Sequence, residues 1–176
     1  MRIVLTGSKG SGKSSIGREL GVRLGLRVVE TDDIIEQLFA KQHGKPATCR
    51  MICREYGETY FRKLEREAVN IAVNTDDCII CTGGQTLMNP QSRQMLAKSG
   101  TVVHLKVDFD KIWERTAAGG LPPFFPEKNP QKWFRQRVEK INQVLSSVAH
   151  VTVDVTDCTP TEAAAKIKRL TSVTTS

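Results

Sequence analysis

Gly7-Ser8-Lys9-Gly10-Ser11-Gly12-Lys13-Ser14 matches the phosphate-binding pattern G-x-x-x-x-G-K-[ST]. The apolar run Ile3-Val4-Leu5 precedes it, and the helix-like stretch Ser15 to Leu24 follows. Strand, glycine-rich loop and helix in that order give the pattern a physical mechanism. The glycines let successive backbone N–H groups converge on phosphate oxygens at a helix N-terminus, where the partial positive charge also favours an anion. The motif therefore assigns Gly10, Ser11, Gly12, Lys13, Ser14 and Ser15 to an ATP site. Lys13 is expected to reach the β- and γ-phosphates, and the Ser14 hydroxyl to ligate Mg2+. The competing reading, a glycine-rich turn without a ligand, leaves the ordered strand and helix around the loop unexplained.

Outward from the loop, the chain alternates strand and helix. Short apolar runs rich in β-branched residues predict strands at Arg2 to Thr6, Arg27 to Glu30, Cys78 to Cys81, Thr101 to Leu105 and Val151 to Val155. Phe61, Leu64, Ala68 and Ile71 recur at helical spacing, as do Ile112 and its neighbours, and Ala163 to Leu170 is a strong helix former. Val173 to Ser176 reads as a frayed tail. Five strands with crossover helices imply a mostly parallel sheet covered on both faces. The stretch Gly119-Gly120-Leu121-Pro122-Pro123-Phe124-Phe125-Pro126 can continue neither a helix nor a central strand, and it is expected to be a loop of lid type.

Composition narrows the class. A chain of 176 residues with 39% hydrophobic content suits one domain, 1–176, with its own core. No apolar run approaches ~20 residues and no leader-like segment precedes the first strand, so the expectation is a cytoplasmic chain with no membrane association. The net charge of +7 raises nucleic acid as a partner. The basic residues are spread along the chain, however, and attraction of polyanionic nucleotides accounts for the excess equally well; no nucleic acid is expected. The five cysteines are odd in number and fall inside element-like segments. Cys78 and Cys81 form a C-x-x-C, but positions three apart in a strand point to opposite faces. Buried reduced thiols are expected rather than a metal or redox pair.

Four collinear motifs carry a resemblance: the loop with Ile16-Gly17-Arg18; Glu30-Thr31-Asp32-x-x-Ile35-Glu36; Gly57-Glu58-x-x-Phe61-Arg62-x-x-Glu65; and Thr82-Gly83-Gly84. In this order they resemble the shikimate kinases, from Met1 to about Thr161. The resemblance implies an α/β P-loop NTPase of the nucleoside-monophosphate-kinase type, with a three-layer α/β/α arrangement around a five-stranded parallel sheet. It further implies ATP and Mg2+ as cofactors, an acceptor-binding region at about 31–62, a lid at about 117–130, and a hydroxylated, carboxylate-bearing substrate. A monomer is the simplest expectation.

The resemblance also carries residue roles. Asp32 corresponds to the acidic residue that holds the acceptor hydroxyl and assists its deprotonation, a role suited to a carboxylate beside the metal; helix capping is its alternative. Glu30 stands where the family has an aspartate contacting the metal through water. Arg62 matches the arginine that grips the acceptor carboxylate, for which a planar guanidinium is a natural bidentate partner. Gly83 and Gly84 would let the acceptor approach bare backbone. Arg115 matches a nucleotide-contacting arginine, and Asp154 to Pro160 matches the loop over adenine, with Cys158 where an arginine often stacks.

Several positions depart from the family pattern. Pro122 replaces the lid arginine, whose contribution to phosphoryl transfer can reach ~10³-fold or more. Gln85 replaces a third glycine. Ile141 stands where a second carboxylate-gripping arginine is expected. Arg137, one helical turn earlier on the same face, is expected to take that role, with Arg135 or Lys140 as alternatives. The aromatic residues Phe124, Phe125, Trp133 and Phe134 are expected to pack the lid against the body, or else to line a pocket for a less polar acceptor. The expected activity is transfer of the ATP γ-phosphate to a hydroxyl of shikimate or a similar molecule. Another hydroxylated acid or polyol, or a binding-only relic of the fold, are the alternatives.

Overall fold

The computed structural model describes residues 1–121 and 125–173, with the side chains of residues 172 and 173 excepted. Strands β1 (Arg2–Thr6), β2 (Arg27–Glu30), β3 (Cys78–Cys81), β4 (Thr101–Lys106) and β5 (Val151–Asp154) form one sheet in the order β2-β3-β1-β4-β5, every pair parallel. β1 lies at the centre, so the loop that follows it opens at the carboxyl edge of the sheet, where parallel sheets present ligands. The three-layer α/β expectation holds. Three strand ranges coincide with those read from the sequence; β4 runs one residue further and β5 ends one residue earlier.

Alternation along the buried strands divides the core in two. Ile3 and Leu5 of β1 and Cys81 of β3 face helices α1 (Lys13–Leu24) and α7 (Pro160–Val173). Val4, Cys78 and Ile80 face the opposite layer, built from α3 (Cys49–Val73), α4 (Pro90–Ser99) and α6 (Pro130–Val148). Cys78 and Cys81 therefore point to opposite faces, both buried and free. Cys49, Cys53 and Cys158 are only half-buried, which corrects the expectation of buried thiols for these three. Among the described residues no helix is long and apolar enough to cross a membrane.

A smaller core of Ile35, Phe39, Ile52, Leu64 and Ala68 joins α2 (Thr31–His43) to α3 beside the sheet. It holds the two helices that carry Asp32 and Arg62. The helical spacing at 61, 64, 68 and 71 is real, but Ile71 is 41% exposed and outside the core. Helix α3 is kinked at Gly57, whose φ of 85° an L side chain rarely adopts. Helix α5 (Phe109–Ala118) ends where the lid-type loop begins; Pro122 and Phe124 lie outside the described residues, as do Thr174 to Ser176. Val173, expected in the tail, closes α7 instead.

Of the four aromatic residues singled out in the sequence, Phe125, Trp133 and Phe134 pack on one another, and Phe124 lies outside the described residues. Phe134 is buried and sits against Phe109, Trp113 and Phe125, while Phe125 meets Trp133 edge-on at 5.0 Å between ring centroids. These rings fasten α6 to α5 and to the chain at Phe125.

Candidate active site

The loop between β1 and α1 is shaped by glycines at positive φ, 84° at Gly10 and 85° at Gly12, the latter standing at the N-terminus of α1. The Lys13 ammonium lies across the loop, donating to the carbonyls of Gly7 and Ser8 at 2.9 Å each and to Ser11 Oγ at 3.3 Å. Burial lowers its pKa to about 8, although the nearby Asp32, Cys81 and Glu30 favour its charge. Ser11 is buried under the loop, whereas Ser14 and Ser15 are exposed on the first turn of α1. Arg115 of α5 donates to the Gly10 carbonyl at 3.2 Å and so borders the same loop.

Ser14 Oγ donates to Glu30 Oε2 at 3.1 Å, bringing together the two residues expected at the metal. The other Glu30 oxygen, Oε1, is buried with no hydrogen-bond partner among the described residues. Burial raises the Glu30 pKa, with the Ser14 contact opposing it. A hydroxyl beside a carboxylate oxygen in need of a partner, at the mouth of a phosphate-type loop, fits Mg2+, which prefers oxygen donors and keeps most of its waters.

Asp32 lies in the first turn of α2, where the residue as a whole is exposed. Its side chain makes no capping bond to α2, whose N-cap is Glu30, so capping does not explain it. Desolvation pushes its carboxyl above the usual range, while the Lys13 charge pulls it back. The Thr31 hydroxyl accepts from the Gly83 N–H at 3.0 Å, joining the end of β2 to the loop after β3.

That loop, Gly83-Gly84-Gln85, links the parts. A β-carbon on Gly83 would stand 2.9 Å from Thr86 Oγ1, 3.2 Å from Glu65 Oε1 and 3.3 Å from Asp32 Oδ1. One on Gly84 would come within 2.8 Å of the Lys9 backbone nitrogen. The two glycines thus make room for Asp32, Glu65 and the phosphate loop itself, a protein contact where the sequence suggested only approach by a ligand.

Arg62 extends from α3 to this loop. Its guanidinium donates to Glu65 Oε2 at 2.9 Å, to Glu58 Oε1 at 3.2 Å and to Gln85 Oε1 at 3.2 Å. Although burial works against its charge, Glu65 and Glu58 raise its pKa. Glu65 is buried and also accepts from the Thr86 hydroxyl at 2.9 Å. Arg137 of α6 donates to the same Gln85 Oε1 at 2.7 Å. Arg135 pairs instead with Asp110 and covers the Phe109 ring, Lys140 is exposed, and Ile141 is buried in the core. Of the three basic candidates on α6, Arg137 shares an acceptor with Arg62.

The sequence assigned no role to Glu65, Lys9 or Thr86. Glu65 was visible in the motif that carries Arg62; Lys9 and Thr86 had no signal beyond proximity to glycines. Asp154, Asp157, Cys158, Glu162 and Lys166 line an open cleft of about 390 Å³ at the loop matched to adenine.

The shikimate kinase family model matches residues 9–171. The chain belongs to the shikimate kinase family. It is by family an ATP-dependent phosphotransferase acting on a hydroxyl group. A shikimate kinase of Caldanaerobacter subterraneus subsp. tengcongensis is 30% identical over 167 residues, covering 95% of this chain and 94% of that protein. One from Thermobifida fusca is 34% identical over 166 residues, covering 94% and 92%. Among solved structures, the shikimate kinase from Acinetobacter baumannii in complex with shikimate superposes with a TM-score of 0.89 at 26% identity, covering 98% of this chain and 93% of that one.

Proposed function

We propose that the protein transfers the γ-phosphate of ATP to a hydroxyl of shikimate within a single kinase domain, with an acceptor region at 31–62 and a lid at 117–130. The observation that carries this reading is the arrangement around Gly83-Gly84-Gln85: Asp32 and Glu65 meet at Gly83, Glu65 holds Arg62, Gln85 joins Arg62 to Arg137, and Gly84 abuts the phosphate loop at Lys9. A carboxylate that can orient a hydroxyl and a pair of guanidiniums that can hold a carboxylate therefore gather around one loop that abuts the phosphate-binding loop. A polyol without a carboxylate would leave the two arginines unused.

Backbone amides of Gly10, Ser11, Gly12, Lys13, Ser14 and Ser15 bind the ATP phosphates, and Arg115 neutralises them from the α5 side. Lys13 exchanges its loop carbonyls for the β- and γ-phosphates and stabilises the charge that develops during transfer. Ser14 and Glu30, already in contact with each other, would be the residues to hold Mg2+. Mg2+ held there would supply positive charge to offset that of the phosphates. Arg62 and Arg137 grip the acceptor carboxylate while Gly83 and Gly84 leave room for its ring. Asp32 orients the attacking hydroxyl and accepts its proton; its raised pKa makes it a better base than an ordinary aspartate.

ADP release measured with ATP and Mg2+ against shikimate, other hydroxylated acids and polyols tests the reading, with Asp32→Asn as control. Shikimate-dependent ADP that disappears in the variant is expected. Activity on a polyol alone would assign another acceptor, and silence across the panel would make the protein a nucleotide-binding relic.

A further inference from the structure

The two arginines are held very unequally. Arg62 has Glu65 and Glu58 as partners in its own helix, at 2.9 and 3.2 Å. Arg137 has no ion pair among the described residues. Its guanidinium rests 4.7 Å over the Trp133 ring and donates 2.7 Å to Gln85 Oε1. A stack fixes the plane of a guanidinium but leaves it free to slide. The bond to Gln85 supplies the missing coordinate, and because the same oxygen accepts from Arg62 it also fixes one arginine against the other. An uncharged acceptor between two like charges offsets their repulsion without consuming either charge, as a glutamate there would.

We propose that Gln85 is a positioning residue for acceptor binding: its amide oxygen sets Arg137 beside Arg62 so that the pair meets a carboxylate as one clamp. This rests on the proposed shikimate reading. It also joins two features of the chain that look independent in sequence. Arg137 lies four residues before Ile141, about 6 Å of helix rise. Gln85 stands where the family resemblance implies a third glycine. The longer side chain spans the distance that the displaced arginine leaves. A guanidinium carries five N–H donors, so each arginine keeps its bond to Gln85 and offers its remaining hydrogens to an entering carboxylate.

A double-mutant cycle on Gln85→Ala and Arg137→Ala, read as KM for shikimate, KM for ATP and kcat, tests the proposal. Hydrogen bonds to charged groups contribute about 1.5–3 kcal/mol, or roughly 10- to 100-fold in affinity. Arg137→Ala should raise the shikimate KM within that range and Gln85→Ala about tenfold. The double variant should be no worse than Arg137→Ala, because Gln85 acts through Arg137. KM for ATP should hold in all three. With shikimate methyl ester, which lacks the carboxylate charge, the differences should largely vanish. Gln85→Glu, which saturates both guanidiniums, should raise the shikimate KM more than Gln85→Ala.

Additive effects, or a lower shikimate KM in Gln85→Ala, would overturn the proposal; the latter would make Gln85 an obstruction of the clamp. If the wild-type protein shows no shikimate-dependent ADP release, the functional reading fails instead. The pairing is then judged by NMR relaxation of the Arg137 Nε–Hε group, assigned with Arg137→Lys. That group should be rigid in the wild type and mobile in Gln85→Ala, and equal mobility in both would refute the pairing.

Discussion

Gly84→Ala places one methyl group against the backbone of the phosphate loop. The new β-carbon would lie 2.8 Å from the Lys9 nitrogen and 3.4 Å from its α-carbon. Ordinary contact begins at 3.4 Å, so the loop or the strand end must retreat by about 0.6 Å. Neither yields easily: β1 and β3 are paired along the register Arg2↔Cys78 to Leu5↔Cys81, and Thr82 N–H donates to the Leu5 carbonyl at 3.1 Å. Overpacking of this kind costs about 1–3 kcal/mol, and at roughly 2–4 °C per kcal/mol for a chain of this size the midpoint of unfolding should fall by several degrees. The larger effect is on rate. A 1 Å misplacement of reacting groups can cost ~10²-fold, so a shift of about 0.6 Å between the phosphate loop and the acceptor side should lower kcat by tenfold or more. Gly25→Ala provides the control. Gly25 has φ 65° with no atom within 4 Å of a β-carbon, so alanine there introduces backbone strain of about 1 kcal/mol without moving the loop. The assay compares thermal midpoints with coupled ADP release for both variants. Loss of kcat in Gly84→Ala and its retention in Gly25→Ala is the expected result. Equal kcat in the two variants, at similar destabilisation, would refute the steric coupling of the acceptor loop to the phosphate loop.

Other perturbations follow from single contacts. The kcat/KM for ATP should decline as pH rises through about 8, because the free protein then loses the Lys13 charge, and a profile flat across that range would contradict it. On the acid side, kcat/KM for shikimate should fall as Asp32 takes up a proton, at a pH above the usual carboxylate range, since burial raises its pKa. Glu65→Gln keeps an acceptor for the Thr86 hydroxyl but removes the charge that faces Arg62. The shikimate KM should rise roughly tenfold with little change in KM for ATP, and an unchanged shikimate KM would show that Glu58 alone suffices. Glu30→Gln should raise the half-saturating Mg2+ concentration by roughly 10- to 100-fold, measured by titrating the metal at fixed ATP; no change would remove Glu30 from the metal site.

The inner strands β1, β3 and β4 were readable because each is a short apolar run with both faces buried, a condition that leaves a local signature in composition, and the edge strands β2 and β5 through their β-branched residues. The phosphate loop was readable because its chemistry needs glycines and a lysine at fixed spacing. Ile71 shows the limit of periodicity: it continues the helical stripe of Leu64 and Ala68, yet the helix face it shares is partly open to solvent, and spacing carries no information about where a neighbouring element stops. The kink at Gly57 is a backbone conformation that a glycine permits but does not announce. In the site, Asp32 and Arg62 were legible through their motifs. What those motifs do not encode is the joining of side chains far apart in the chain: Gln85 with Arg62 and Arg137, Glu65 with Thr86, and Gly84 with Lys9. Ile141 pointed to a lost contact, and only the position of α6 against the loop after β3 sets Arg137 on the same oxygen as Arg62.

The most direct measurement is 31P NMR of the purified protein incubated with ATP, Mg2+ and shikimate. A phosphomonoester resonance that grows in step with ADP and depends on shikimate is the predicted result. ADP accompanied by inorganic phosphate alone, or no change in ATP, would contradict the assignment of Asp32, Arg62 and Arg137 to the binding and activation of a hydroxylated carboxylate.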